Sequence, residues 1–378
     1  MSGTLKPIPL FTVSLVLSLA QFCAAQSNSD TNSWSSSTQQ SDSGAAINPT
    51  RTTEIHSKSN GRSVDRTSVQ TLGPDGRYAP YSQTERESLR VDGTSVRNVE
   101  RTYGTGPDGQ RVLIQETREE TRELAGGEKK VVRTVSNPDA NGALQVIRRE
   151  LVDSKQVSPG VRDTNTTVFS ADGNGGMSAA VQVHERENAN SDGTVKFVKS
   201  TQLSDGAGHW NLSEVREGTI KPAGSQESTR DENVLRPDAD GKLAVIERTV
   251  SRESRGAGQK RDVTETYSTN VPGQAGNEGL QLVQRVSTVR RTGSGGGQST
   301  TEQVETANTG NPGDRLHVTQ EAIDIVRPDG KGSAEQKSTV VTFGADGQVN
   351  TMLVDIGKTS NPATVNPDTD TARAPARK

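Results

Sequence analysis

Apolar positions along this chain come in short clusters that turn residues cut at even intervals. The stretch Val234 to Val250, VLRPDADGKLAVIERTV, sets a Pro-Asp/Gly turn between two such clusters, and the phrase returns along the chain. Its Asp falls at Asp75, Asp108, Asp139, Asp172, Asp205 and Asp238, so the spacing is 33 residues with one step of 31. Halfway between lie other glycine turns, at Asp92-Gly93, Gly126-Gly127, Pro159-Gly160, Asp192-Gly193, Gly224 and Gly256-Ala-Gly258. The pattern loosens around 272–279 and resumes through Gly293–Gly297, Asn311-Pro-Gly313, Asp329-Gly330 and Asp346-Gly347. Asp, Asn and Gly tolerate left-handed backbone and close their own turns, and Pro presets the entry angle. Evenly spaced turns between short runs are a hairpin signature.

The segments between turns, such as Glu128–Ser136 (EKKVVRTVS) and Leu280–Val289 (LQLVQRVSTV), are rich in Val, Ile, Thr, Arg and Glu. β-branched residues favour strands, and each segment holds roughly 10–12 residues once the turn is removed. Connections this short join only antiparallel neighbours, because a parallel pair needs a long crossover. The chain is therefore expected to be all-β: a long antiparallel up-and-down meander of two-strand repeats, about 33 residues each and about 18 strands in total. An open twisted sheet or a curled shell both satisfy this, with propeller-like blades ranked behind them. Within Leu243–Val250 strict alternation puts Leu243 and Val245 on one face and Ile246 and Val250 on the other, so neither face reads as cleanly apolar.

Composition thins the picture further. Hydrophobic residues make up 29% of the chain and aromatics 3%. Adding the 38 glycines brings the apolar share to about 39%, below the roughly 45–50% of globular domains. The 44 basic and 47 acidic side chains nearly cancel, with a net charge of -3, and they interleave as in Thr117–Glu123 (TREETRE). Interleaved opposite charges suit facing strands more than a chain held open by repulsion. A transmembrane barrel would need a lipid-facing apolar band and aromatic girdles, and two Trp, four Tyr and five Phe supply neither.

The ends read differently. Residues 1–25, with Lys6 ahead of an apolar run and Ala24-Ala25 at its close, have the form of a secretory signal peptide. Its removal would take Cys23, the single cysteine, and with it disulfide and thiolate-metal chemistry. Residues 26–60 are rich in Ser, Asn, Gln and Thr and read as a disordered linker, 61–358 as the hairpin repeat domain, and 359–378 as a disordered tail.

Candidate chemistry is sparse. Gly104-Thr-Gly106-Pro-Asp-Gly109 matches a dinucleotide fingerprint in letters, but such a loop must lead into a helix, and Gln110–Ile114 reads as a strand. Ile356-Gly-Lys-Thr359 lacks the upstream glycine of a phosphate loop and reads as a strand end. His56, His184, His209 and His317 are scattered without metal-ligand spacing, and no nucleophile elbow occurs. His184 beside Glu185 and Glu187 is at most an adventitious metal site. Calcium is weighed at Asp139/Asn141, Asp172/Asn174 and Asp238/Asp240, where oxygens lie two apart in turns; without the six to eight oxygens of a calcium site, turn chemistry is the reading. The basic stretch Arg285–Arg291 has no aromatics for stacking on nucleic acid.

No catalytic, cofactor-binding or metal residue is therefore assigned, and no cofactor or nucleic-acid partner is expected. The expectation is an exported, non-enzymatic β-repeat protein with a structural, adhesive or surface-binding role, secreted, periplasmic or at the cell surface. Its partner would be an envelope or extracellular protein or polysaccharide, and the mature chain would not span a membrane. Two alternatives stand: a secreted polysaccharide hydrolase, with His209 and Trp210 as its faint candidate, and a largely disordered secreted chain.

Overall fold

The computed structural model describes residues 32–42, 50–59, 61–72, 76–172, 175–224, 226–269, 279–293, 295–307, 316–328, 334–344 and 346–359. The expected signal peptide, and all of the expected tail after Thr359, lie outside them. Twenty strands follow in chain order: β1 Asn32–Asp42, β2 Thr50–Ser59, β3 Arg62–Leu72, β4 Tyr78–Arg90, β5 Ser95–Thr105, β6 Arg111–Glu123, β7 Lys129–Pro138, β8 Leu144–Ser158, β9 Val161–Ala171 and β10 Met177–Ala189. They continue with β11 Val195–Ser204, β12 Trp210–Pro222, β13 Glu227–Pro237, β14 Leu243–Gly256, β15 Gln259–Ser268, β16 Gln281–Thr292, β17 Gln298–Thr306, β18 His317–Pro328, β19 Ala334–Phe343 and β20 Val349–Thr359. All belong to one antiparallel sheet, and a single 3-10 turn at Ala125–Gly127 is the only helical element among the described residues.

The all-β, up-and-down meander expected from the turns is what the chain adopts. β2 to β20 form nineteen strands, each hydrogen-bonded to the one before it. On its own that meander is not closed, because β2 and β20 do not pair with one another. β1 stands between them, antiparallel to both. It completes a ring of ladders in which every strand has two neighbours. β1 and β2 fall within 26–60, where composition reads as a linker; their polar sequence has no strand pattern, and of their ladders β1–β2 and β2–β3 join neighbours in sequence while β1–β20 joins segments far apart.

Directly opposed residues, followed from strand to strand round the ring, end on β2 on the order of 20 residues from the start. One residue of stagger per strand corresponds to a tilt of roughly 35°, the low end of the range for closed barrels. Twenty strands at about 4.8 Å spacing and this tilt enclose a ring roughly 35–40 Å across.

The reversals are built as the sequence implies. Asp139 Oδ1 accepts backbone N–H bonds from Asn141 at 2.8 Å and Ala143 at 2.9 Å, and Gly142 takes φ 80. Asp238 does the same for Asp240 and Lys242, both at 2.9 Å, before Gly241 at φ 78. These carboxylates are thus committed to their own turns, the role expected of them over calcium ligation.

Burial is thin. Among the described residues Val99, Val168, Phe197, Val234, Val250 and Ala334 are the buried apolar ones, and Glu116 and Glu265 are buried with them. Charged rungs hold the sheet instead. On one face Arg66, Glu85, Arg101 and Glu116 stand directly opposite one another across β3 to β6, with ion pairs Arg66–Glu85 at 2.9 Å and Arg101–Glu116 at 2.7 Å. On the other face Arg86 pairs with Glu100 at 2.7 Å, and Arg133 reaches both Glu119 and Glu150.

Candidate charged site on strands β10 to β13

Two adjacent rungs on one face of β10–β13 build the site. In the first, Glu185 lies opposite Lys199, Lys199 opposite Arg216 and Arg216 opposite Val234. In the second, Glu187 lies opposite Phe197, Phe197 opposite Gly218 and Gly218 opposite Glu232. Alternation along each strand brings these side chains to the same face.

Phe197 is the floor. It is 5% exposed, and Gly218 makes that burial possible: a Cβ at Gly218 would meet the Asp231 carbonyl oxygen and stand 2.6 Å from Phe197 Cζ. Mid-strand glycine here marks close approach of a ring to the backbone. Above the ring the Arg230 guanidinium carbon sits 4.6 Å from the centroid, a cation–π contact.

Glu232 ties the guanidiniums together, accepting from Arg216 Nη1 at 3.2 Å and Arg230 Nη2 at 2.7 Å. Arg216 Nε also donates to Glu214 at 2.6 Å, and Arg236 reaches the same carboxylate at 3.1 Å. Burial pushes the Glu214 carboxyl up, but the bonds from Arg216 and Arg236 outweigh it and hold the group below its ordinary range. Burial likewise opposes the Arg216 charge, and Glu214 and Glu232 more than restore it.

Glu185, Phe197, Lys199, Arg216, Arg230 and Glu232 line a hollow of about 340 Å³. Glu185 and Lys199 face each other across β10 and β11, yet neither makes an ion pair among the described residues. The hollow therefore combines an aromatic floor and a preset arginine wall with one ammonium and one carboxylate that remain uncommitted. It holds no nucleophile–base pair, and no group of three or more His, Cys, Asp and Glu could hold a metal ion among the described residues.

The motifs weighed in the sequence fall elsewhere. Gly104–Gly109 is the β5–β6 reversal, with Gly109 at φ 74 and Gly106 N–H bonded to the Gln110 carbonyl at 2.8 Å. No helix follows to receive a pyrophosphate. Ile356–Thr359 lies in β20. His184 sits on β10 between Asn165 and Ser200, on the face opposite to Glu185 and Glu187, so the three do not converge. His209 bonds through Nδ1 to Asp205 Oδ2 at 2.9 Å as part of a turn, and Trp210 opens β12. Of the two rungs, Glu185 and Glu187 are the residues that the sequence marked for possible chemistry, and for a metal. The charged residues are of types that recur along most of the sheet; the signal that could have found the site was a glycine at 218 amid a strand pattern.

Comparison with known proteins adds the following. No family model matches the chain, and a search of curated proteins finds no match. Solved structures with a similar arrangement of strands include the siderophore receptor PirA from Pseudomonas aeruginosa, 9% identical with TM-score 0.45, and PirA from Acinetobacter baumannii, 5% identical with TM-score 0.49; each likeness covers 89% of this chain and 81% of the other. The FrpB iron transporter from Neisseria meningitidis is 8% identical with TM-score 0.41, covering 88% and 81%. Identity this low concerns strand arrangement and transfers no ligand. The expectation of a structural or adhesive repeat protein, with a polysaccharide hydrolase as its alternative, is corrected here: the solved chains named are receptors and a transporter. The third reading, a largely disordered chain, is replaced by the continuous sheet.

Proposed function

We propose that this protein is an exported, non-enzymatic β-barrel of the cell envelope that binds a small zwitterionic solute in the hollow on β10–β13. The observation that carries the reading is the uncommitted pair Glu185 and Lys199 beside the fixed Arg216–Glu232–Arg230 group. A solute carboxylate would meet Lys199 and the arginine wall, and a solute ammonium would meet Glu185. Charge-assisted hydrogen bonds of this kind are the strong ones, and groups already held in place cost little ordering on binding. A volume of about 340 Å³ suits a molecule the size of a free amino acid, near the low end for ligand pockets.

Water on both sides of the barrel wall fits the charged rungs better than lipid on either. A spanning barrel carries an outward apolar band about 25 Å tall, and the mid-strand positions described on both faces carry Arg and Glu.

Isothermal titration of the full chain with glycine, glutamate and phenylalanine tests the function, with a ferric siderophore as contrasting probe. Lys199→Gln and Glu185→Gln should each weaken amino-acid binding by about tenfold, near 1.4 kcal/mol. Heat with none of the amino acids at millimolar concentration ends the proposal.

A further inference from the structure

We infer that the ring closes through an exchangeable strand, and that the slot between β2 and β20 accepts β1 of a second copy of this chain. The slot is remote from the hollow: it lies where the first and last strands meet, whereas the hollow is on β10–β13.

β1 is the one strand whose removal would separate the two ends of the meander. It joins β2 over seven residue pairs, from Asn32↔His56 to Thr38↔Thr50, the shortest ladder in the sheet. It joins β20 over nine pairs, from Trp34↔Thr359 to Asp42↔Thr351. By contrast β2 meets β3, and β20 meets β19, over ten pairs each. Sheets gain specific stability from cross-strand pairs of aromatic, β-branched or oppositely charged side chains. The β1 sequence NSWSSSTQQSD has one aromatic, one β-branched residue and one charge. A sequence so poor in such residues asks little of side-chain identity, and the backbone hydrogen bonds of the two ladders are ones any extended segment could supply.

Vacating the slot leaves two edges open at once. β20, with Val349, Leu353, Val354 and Ile356 in its sequence, has no Pro and only Asp355 and Lys358 to deter pairing, and such edges invite another strand. The slot asks for a strand antiparallel to both edges, and β1 of another copy meets that demand in the native register. Exchange of an identical element between copies is a low-cost route to a dimer. Residues 43–49, seven in number, are the only connection between β1 and β2.

The test mixes two pools of the full mature chain, each carrying a different fluorophore at an exposed turn, and reads energy transfer and mass together. The unlocked pools should develop energy transfer and a dimer over hours at high concentration. A Ser37→Cys, Ile356→Cys pair, placed at directly opposed positions, should tie β1 to its own chain. Once oxidised it should abolish both signals, and reduction should restore them. A labelled peptide of residues 32–42 should enter the slot of a Ser35→Pro, Ser37→Pro variant and be shut out of the oxidised lock. Pools that stay monomeric without energy transfer overturn the inference, as does a dimer that forms equally in the oxidised lock. The wild-type and lock arms decide the matter even where the proline variant does not fold.

Discussion

The aspartates that open the hairpin turns serve the backbone and set how the protein answers acid. Asp139 is held below its ordinary carboxyl range by N–H bonds from Asn141 and Ala143, Asp205 by those from Ala207 and His209, Asp192 by that from Thr194 and Asp92 by that from Thr94. Because the folded values are depressed, the stabilisation they give is full above the unfolded carboxylate range, near 4, and is lost as pH falls through the lower folded values. Unfolding followed by circular dichroism should accelerate below about pH 4, and Asp139→Ala should shrink the difference between pH 7 and pH 3; an unchanged difference would show that the turn carboxylate contributes nothing. Within a strand, Glu116 is a buried carboxylate bound by side chains. It is 4% exposed and accepts from Arg101 at 2.7 Å and Arg118 at 2.6 Å. Glu116→Ala should cost about 1.5–3 kcal/mol in urea unfolding, whereas the exposed pair Arg86–Glu100 should contribute under about 1 kcal/mol.

At the level of the strand, register decides what alternation alone could not. In β14, Leu235 faces Val245 and Val234 faces Glu247, so Ile246 is an extra residue. That bulge returns Val245 to the face of Val250, against the strict alternation read from the sequence. Ile147 in β8, Val283 in β16 and Ile114 in β6 are skipped in the same way. The repeated apolar cluster after each Asp turn thus marks a bulge as well as a strand start, and bulges add twist to the sheet. Close packing across β11–β12 gives the sharper prediction. Gly218→Ala should drive Phe197 off the backbone, cost about 1–3 kcal/mol and loosen the hollow, weakening solute binding along with stability. Loss of neither, in titration or urea unfolding, would remove Gly218 from the account.

For the whole molecule, the question is what the wall of the barrel faces. Ion-pair rungs across mid-strand on both faces would each meet hydrocarbon in a bilayer, where charged side chains cost about 2–4 kcal/mol at the midplane of a barrel. The protein should remain in the aqueous phase on detergent phase separation and elute without a micelle. Partition into the detergent phase would contradict the aqueous reading while leaving the hollow and its solute to be tested separately. Higher salt should weaken the exposed rungs within a Debye length of about 8–10 Å, lowering the melting temperature more than it would for a protein with a thick apolar core.

Local chemistry was enough to determine the reversals, the antiparallel direction, the repeat of two strands and the thinness of the core, because turn residues, β-branching and composition act over a few neighbouring positions. Residues 32–42 and 50–59 escaped that reading: Ser- and Thr-rich segments have no apolar period, and β1 is strand where β20, distant in the chain, and β2 offer their backbone groups. The hollow escaped for a related reason. Arg, Lys and Glu recur along most of the meander, and it is the register of β10 to β13 that engages Arg216, Arg230 and Glu232 while leaving Glu185 and Lys199 without ion-pair partners among the described residues. Closure is fixed by β1 meeting β20 from the other end of the chain, whereas face and site are fixed by the register and bulges between neighbouring strands, which local composition does not specify.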